Sequence, residues 1–233
     1  MYVGRLSSAM LTIVLCCGLY HHASAEASQP VLMISIDGLR PDSVTQADAH
    51  GLRVPNLRRF LTEGTYAEGV TGVLPTVTYP SHTTLVTGVT PDKHGISSNT
   101  TFDPLFRNQV GWYWYAEQER AETLWQAAHA HGIVTASLNW PVTVDAQGID
   151  FNLPEYWRSS TADDVLLLRA LARPLGLQQQ LESELGPWVD GNTTTLEGDD
   201  KRTKFAVAML REHHPGFFTV HLSSLDEEEH MLK

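Results

Sequence analysis

GVLPTVTYPSHTTLVTGVTPDKHGI, residues 72–96, packs hydroxyls, two histidines and three prolines into a run with too little continuous apolar character for a plain core element. Within it, Pro80 favours a helix start just behind Thr78. That places the Thr78 hydroxyl near free backbone N–H groups at the positive end of a helix, where an anionic substrate is welcome. Thr78 is therefore the candidate nucleophile. A helix is expected over Thr83–Thr87 with His82 in its early turns, followed by a turn over Gly88–Gly95. His94, in that turn, is as well explained by structural packing as by chemistry.

Upstream, VLMISI (Val31–Ile36) is a nearly continuous apolar run that reads as a buried strand of an α/β sheet. It leads directly into Asp37-Gly38, an acid at the carboxyl end of a strand, where open α/β sheets place ligands. Taken alone, Asp37 is more readily a turn residue or a helix cap. Leu57, Phe60 and Leu61 give Pro55–Leu61 an amphipathic helical face that Gly64 stops, and Thr65–Val70 reads as the next strand.

Downstream, Asn99–Tyr115 is a loop-like stretch dense in aromatic residues, suited to lining a pocket or sealing an edge of the domain. Helices are expected over Glu122–His131, Asp163–Ala172, Leu175–Leu185 and Lys201–His213, and strands over Ile133–Leu138 and Phe217–Leu222. Alternation of this kind predicts an α/β fold with a mostly parallel central sheet and flanking helices. The His213-His214 pair suits a helix C-terminus. After the last strand, Asp226 and His230 stand four residues apart, a spacing that lets both reach one ion if the segment is helical. An acidic solvated tail is the plainer reading of the same residues.

Met1–Ala25 reads as a signal peptide, with Arg5, an apolar run from Met10 to Leu19 and the small-residue site Ala23-Ser24-Ala25; the run is short for a stable membrane span. The remaining 26–233 form one domain or part of a larger one. Both cysteines, Cys16 and Cys17, lie inside the leader, so an exported chain offers no thiolate and any metal site is built of carboxylate, imidazole and hydroxyl. A formal net charge of −11 weighs against binding a nucleic-acid duplex through its phosphates, although bound cations could admit a small anion.

Together, D-G-L-R after the first strand, P-T-V-T-Y-P-S-H-T-T-L-V-T-G with P-D-K-H-G-I, and L-D-x-x-x-H after the last strand resemble the type I phosphodiesterase and nucleotide pyrophosphatase group of the alkaline phosphatase superfamily. The resemblance implies an alkaline-phosphatase-like fold of which this is the N-terminal portion, and a site with two zinc ions. Asp37 and Thr78 would belong to one zinc, Asp226 and His230 to the other, with Thr78 attacking phosphorus to form a phosphothreonine. Ser81 stands where the family usually has asparagine helping to bind a phosphoryl oxygen, and Glu227–Glu229 depart from the usual last motif. The expected substrate is a small phosphate ester or nucleotide, and the expected location periplasmic or secreted. Further family ligands would lie beyond Lys233, so the chain is expected to be a fragment with weak zinc binding and little turnover alone. A monoesterase, phosphonate hydrolase or sulfatase of the same superfamily, and an exported acidic binding domain without catalysis, are the other readings.

Overall fold

The computed structural model describes residues 29–105, 107, 111–157, 162–188 and 194–232; the leader expected over 1–25 lies outside them. Strands β1 (Val31–Ile36), β2 (Thr135–Leu138), β3 (Phe151–Leu153) and β4 (Phe217–Leu222) form one four-stranded sheet in the order β1-β4-β2-β3. Every pairing in it is parallel. The helices are α1 (Asp42–Thr45), α2 (Pro55–Glu63), α3 (Thr78–Thr87), α4 (Pro91–His94), α5 (Leu124–Ala130), α6 (Ala162–Leu171), α7 (Leu177–Leu185), α8 (Leu196–His213) and α9 (Ser224–Met231).

The centre of the sheet is β4, and its sequence FFTVHL serves two cores because alternate residues point to opposite faces. Phe218 and Val220 pack on one face with Phe205 and Met209 of α8 and Leu177 and Leu181 of α7. Phe217 packs on the other with Trp125, Trp140 and Val86. At about 25 cal/mol per Å² of apolar area removed from water, these aromatic and branched side chains supply the main drive for the sheet.

Two expectations are corrected. VLMISI does form a strand, but at the sheet edge: Val31, Leu32 and Ile34 keep 55%, 44% and 55% of their surface, because β1 has β4 on one side only among the described residues. Thr65–Val70 joins no ladder and is exposed throughout, since no strand lies beside it. The three-residue β3 was too short to show a period. The start of α8 lies upstream of the expected Lys201, at a cap where Thr195 Oγ1 accepts from the Gly198 N–H.

What the fold does for the site follows from register. Val31 to Ile36 run alongside Phe217 to Leu222, so the two strands end level. The next N–H, that of Asp37, donates to the Leu222 carbonyl at 2.9 Å. The residues after both strands therefore emerge at the same carboxyl edge.

Candidate active site

Thr78 is the first residue of α3, preceded by Val77 in extended backbone, and Pro80 sits in the first turn, where its missing N–H costs nothing. Its hydroxyl donates to Asp37 Oδ2 at 3.1 Å. His82, one turn further on, fixes that arrangement. Its Nδ1–H donates to the Thr78 carbonyl at 2.8 Å, which leaves Nε2 to accept from the Ser35 hydroxyl of β1, also at 2.8 Å. His82 thus ties the helix start to the first strand. Burial and the neighbouring His221 hold its pKa down at about 3, so it is neutral.

His221 stands behind Asp37. Its Nδ1–H donates to the Asn139 carbonyl at 3.0 Å while Asn139 Nδ2 donates to the His221 carbonyl at 3.2 Å, a reciprocal latch made with Asn139 in left-handed backbone at φ 55°. With Nδ1 so committed, Nε2 faces Asp37 Oδ2 at 3.5 Å, longer than a good hydrogen bond, and this buried nitrogen has no closed partner. Burial opposes charge on His221, but Asp37 outweighs it and raises the imidazole above its ordinary value. Asp37 itself is pushed up by burial and pulled down further by His221, His82 and Thr78, to about 2, so it is a carboxylate.

Asp226 reaches the same place from the first turn of α9. It lines a cavity of about 190 Å³ with Asp37, Thr78, Glu155, Arg202 and His221. The approach is close: a Cβ on Gly38 would sit 2.8 Å from the Asp226 Cα and N, and Gly38 has φ +76°, so glycine is required there on both counts. Burial and the Asp37 charge raise the Asp226 pKa. Two carboxylates facing one cavity favour a cation between them. His230 lies outside the cavity wall, with its Nε2 at 3.5 Å from Asp226 Oδ2.

The start of α9 is itself held. Asp199 of α8 accepts from the N–H groups of Ser223 and Ser224 at 3.3 and 2.9 Å, and from Arg202 Nη1 at 2.8 Å, with the Arg202 side chain 2% exposed. Asn99 Oδ1 accepts from the Tyr79 N–H at 2.9 Å, which brings a side-chain amide beside Thr78. Ser81 sits one turn into α3, half-buried, and is not part of the cavity wall.

The donors fit a divalent cation. Asp37, His82 and His221 each place a ligand atom within 4.8 Å of the others. Both His82 nitrogens are already engaged, so the usable set is the Asp37 carboxylate, the orphaned His221 Nε2, the Thr78 hydroxyl and Asp226, an oxygen-and-imidazole set that suits zinc-like ions. His221, Glu155, Arg202 and Asp199 were not singled out from sequence, and the N-T-x-x-D-P segment around Asn99 carried part of the family resemblance without a role at the site. For His221 a signal existed, a titratable residue on the same face as Thr219 in the mostly apolar FFTVHL.

A model of the type I phosphodiesterase / nucleotide pyrophosphatase family matches residues 31–232. The chain belongs to this family. It is 27% identical over 151 residues to human ectonucleotide pyrophosphatase/phosphodiesterase family member 1, covering 61% of this chain and 16% of that one. With human family member 5 the identity is 33% over 121 residues, 49% of this chain and 24% of the relative. Mouse bis(5'-adenosyl)-triphosphatase is 31% identical over 132 residues, 53% and 27% of the two chains.

In fold, the chain is similar to phosphonoacetate hydrolase from Sinorhizobium meliloti 1021, with a TM-score of 0.58 at 20% identity, covering 85% of this chain and 47% of the other. It is likewise similar to murine family member 5, at a TM-score of 0.53 and 20% identity, covering 87% and 45%. The chain thus spans about half the length of these solved structures and a smaller share of the curated relatives. Among the described residues, no helix is long and apolar enough to cross a membrane.

Proposed function

We propose that this chain carries the nucleophile half of a metal-dependent hydrolase of phosphodiester or nucleotide pyrophosphate bonds, with Thr78 as the attacking residue. The observation that carries the reading is the Thr78 hydroxyl at the first position of α3, directed at the Asp37 carboxylate in a cavity that Asp226 and His221 also line. The similarity to ectonucleotide pyrophosphatase/phosphodiesterases supports the substrate class. Asp37, Thr78 and His221 would hold one zinc ion and Asp226 a second, for which His230, beside Asp226 but outside the cavity wall, is the further proposed ligand. Bound there, such cations supply positive charge that makes the hydroxyl more acidic and stabilises charge on the leaving oxygen.

The chain's own residues do the rest. Asp37 orients the Thr78 hydroxyl, and His82 fixes the helix start that presents it. Thr78 Oγ, its proton released to solvent, bonds to phosphorus as the bond to the leaving oxygen breaks, and that oxygen departs with the electron pair and takes a proton from solvent. Water then cleaves the phosphothreonine and the hydroxyl is restored. Asn99, held beside the nucleophile, and Ser81, at the motif position, are the proposed donors to a phosphoryl oxygen. Export to the periplasm or the medium is part of the same proposal.

The test is turnover of bis(4-nitrophenyl) phosphate by the zinc-loaded product of the complete gene. Thr78→Ala lowers the rate by at least about 10³-fold and Thr78→Ser retains a measurable part of it. Equal rates for wild type and Thr78→Ala would refute the assignment.

A further inference from the structure

Asp226 reaches the cavity from a helix that does not cap itself. The residue before a helix usually has extended backbone, from which its own side-chain oxygen takes one of the free N–H groups. Ser223 instead has φ −118° and ψ −6° and makes no side-chain cap. The first N–H groups of α9 are satisfied from another helix: Asp199 Oδ1 accepts from Ser223 and Oδ2 from Ser224, 24 and 25 residues further along the chain. Both oxygens of one carboxylate are thus spent on the turn that leads into α9.

Asp199 is buried, and a buried charge needs a partner. Arg202, one turn on in α8, gives Nη1 to Asp199 Oδ1 at 2.8 Å, so the pair as a whole adds no net charge beside Asp226. The joint has little slack. Ser223 alone separates β4 from α9, and it lines the same cavity as Asp226 and Arg202. From the front, the turn after β1 already stands against Asp226, whose Cα and N lie 2.8 Å from where a Cβ on Gly38 would be. From behind, Asp199 holds the N–H only two residues before Asp226. A shift at Asp199 is therefore passed directly to the Asp226 backbone.

We infer that Asp199 is a positioning residue for the cation site: by capping α9 from α8 it fixes the place from which Asp226 meets Asp37 and Thr78. That role rests on the metal-dependent reading of the site and deepens it, since Asp199 stands outside the cavity wall and touches no reacting group. It requires both oxygens to accept. Asparagine keeps the shape of aspartate but turns one acceptor into a donor, which then faces either the Ser224 N–H or the N–H groups of Ser223 and Arg202.

The test titrates zinc calorimetrically into the product of the complete gene as wild type, Asp199→Asn, Asp226→Asn and the double variant. Zinc binds about 10–100-fold more weakly to Asp199→Asn. The double variant matches Asp226→Asn within about twofold, because one residue acts through the other. Wild-type affinity in Asp199→Asn with a lowered urea midpoint, the result for a merely structural ion pair, overturns the positioning role and leaves the metal reading standing; so do losses that multiply in the double variant. Should Asp199→Asn fail to fold, wild type carries the test. With zinc chelated, its Ser223 and Ser224 amides exchange at least about 100-fold more slowly than in an unstructured chain, and exchange at the unstructured rate overturns the role. Unchanged zinc affinity in Asp226→Asn overturns the metal reading of Asp226 and the positioning role with it.

Discussion

His82 and His221 lie with ring centroids 4.5 Å apart, and the fold treats them oppositely. His82 is neutral and spends both nitrogens on structure; His221 is drawn toward the charged form by the acid in front of it. The signs of their pH effects differ accordingly. The folded His82 pKa of about 3 lies below its ordinary 6.5, so its contribution to stability is complete above 6.5 and lost as pH falls toward 3. His221 is raised, so its contribution is present below 6.5 and fades as pH climbs through the raised value. Asp37, at about 2 against 3.8, adds a second acid-side loss only below 3.8. In urea titrations with chelator present, the His82 contribution to stability, read as the difference between wild type and His82→Gln, falls between pH 6.5 and 4 with a slope approaching 1.4 kcal/mol per unit, about the value for one proton; Glu119, raised to about 8 by burial, acts with the opposite sign in both proteins and cancels in the difference. Thr78 and Asp37 were legible as residues because each follows a recognisable local signal, a proline-primed helix start and an apolar strand. His82 was legible only as a position, since the partner of its Nε2 lies in β1, 47 residues upstream of it.

At the scale of elements, the site is a meeting of three termini: the ends of β1 and β4 and the start of α3. The parallel sheet and the order of helices could be read from periodicity because both leave local patterns. The edge location of β1 and the coil at Thr65–Val70 could not, because they depend on which neighbours a strand acquires. Nor could the approach of α9 to the turn after β1, although Gly38 marks it. Gly38→Ala forces a Cβ onto the backbone of Asp226 from a left-handed conformation. We expect a loss of about 1–3 kcal/mol in denaturant unfolding. Zinc affinity, measured by titration calorimetry, weakens by at least about tenfold because Asp226 can no longer reach its place. Unchanged affinity would mean that Asp226 is not needed to hold the ion.

At the scale of the whole molecule, the open side of β1 is the outstanding feature. Among the described residues, this edge strand, with Val31, Leu32 and Ile34 exposed, presents both unpaired backbone groups and apolar side chains, a combination that invites pairing with another chain. In sedimentation velocity the 233-residue chain self-associates with rising concentration, and Ile34→Lys shifts it toward monomer without loss of helical circular dichroism. A monomer at all concentrations would show that this face is satisfied in some other way.

The order of the sheet also sets a timetable during synthesis. Among the described residues β1 (Val31–Ile36) bonds only to β4 (Phe217–Leu222), which is translated long after it. At roughly 5–20 residues per second, the first strand waits on the order of 10–40 s before its mate leaves the ribosome. For that interval Asp37 and Thr78 have no Asp226 to meet. A metal ion held between Asp37 and Asp226 would therefore have to wait until β4 and the start of α9 had followed β1 out of the ribosome.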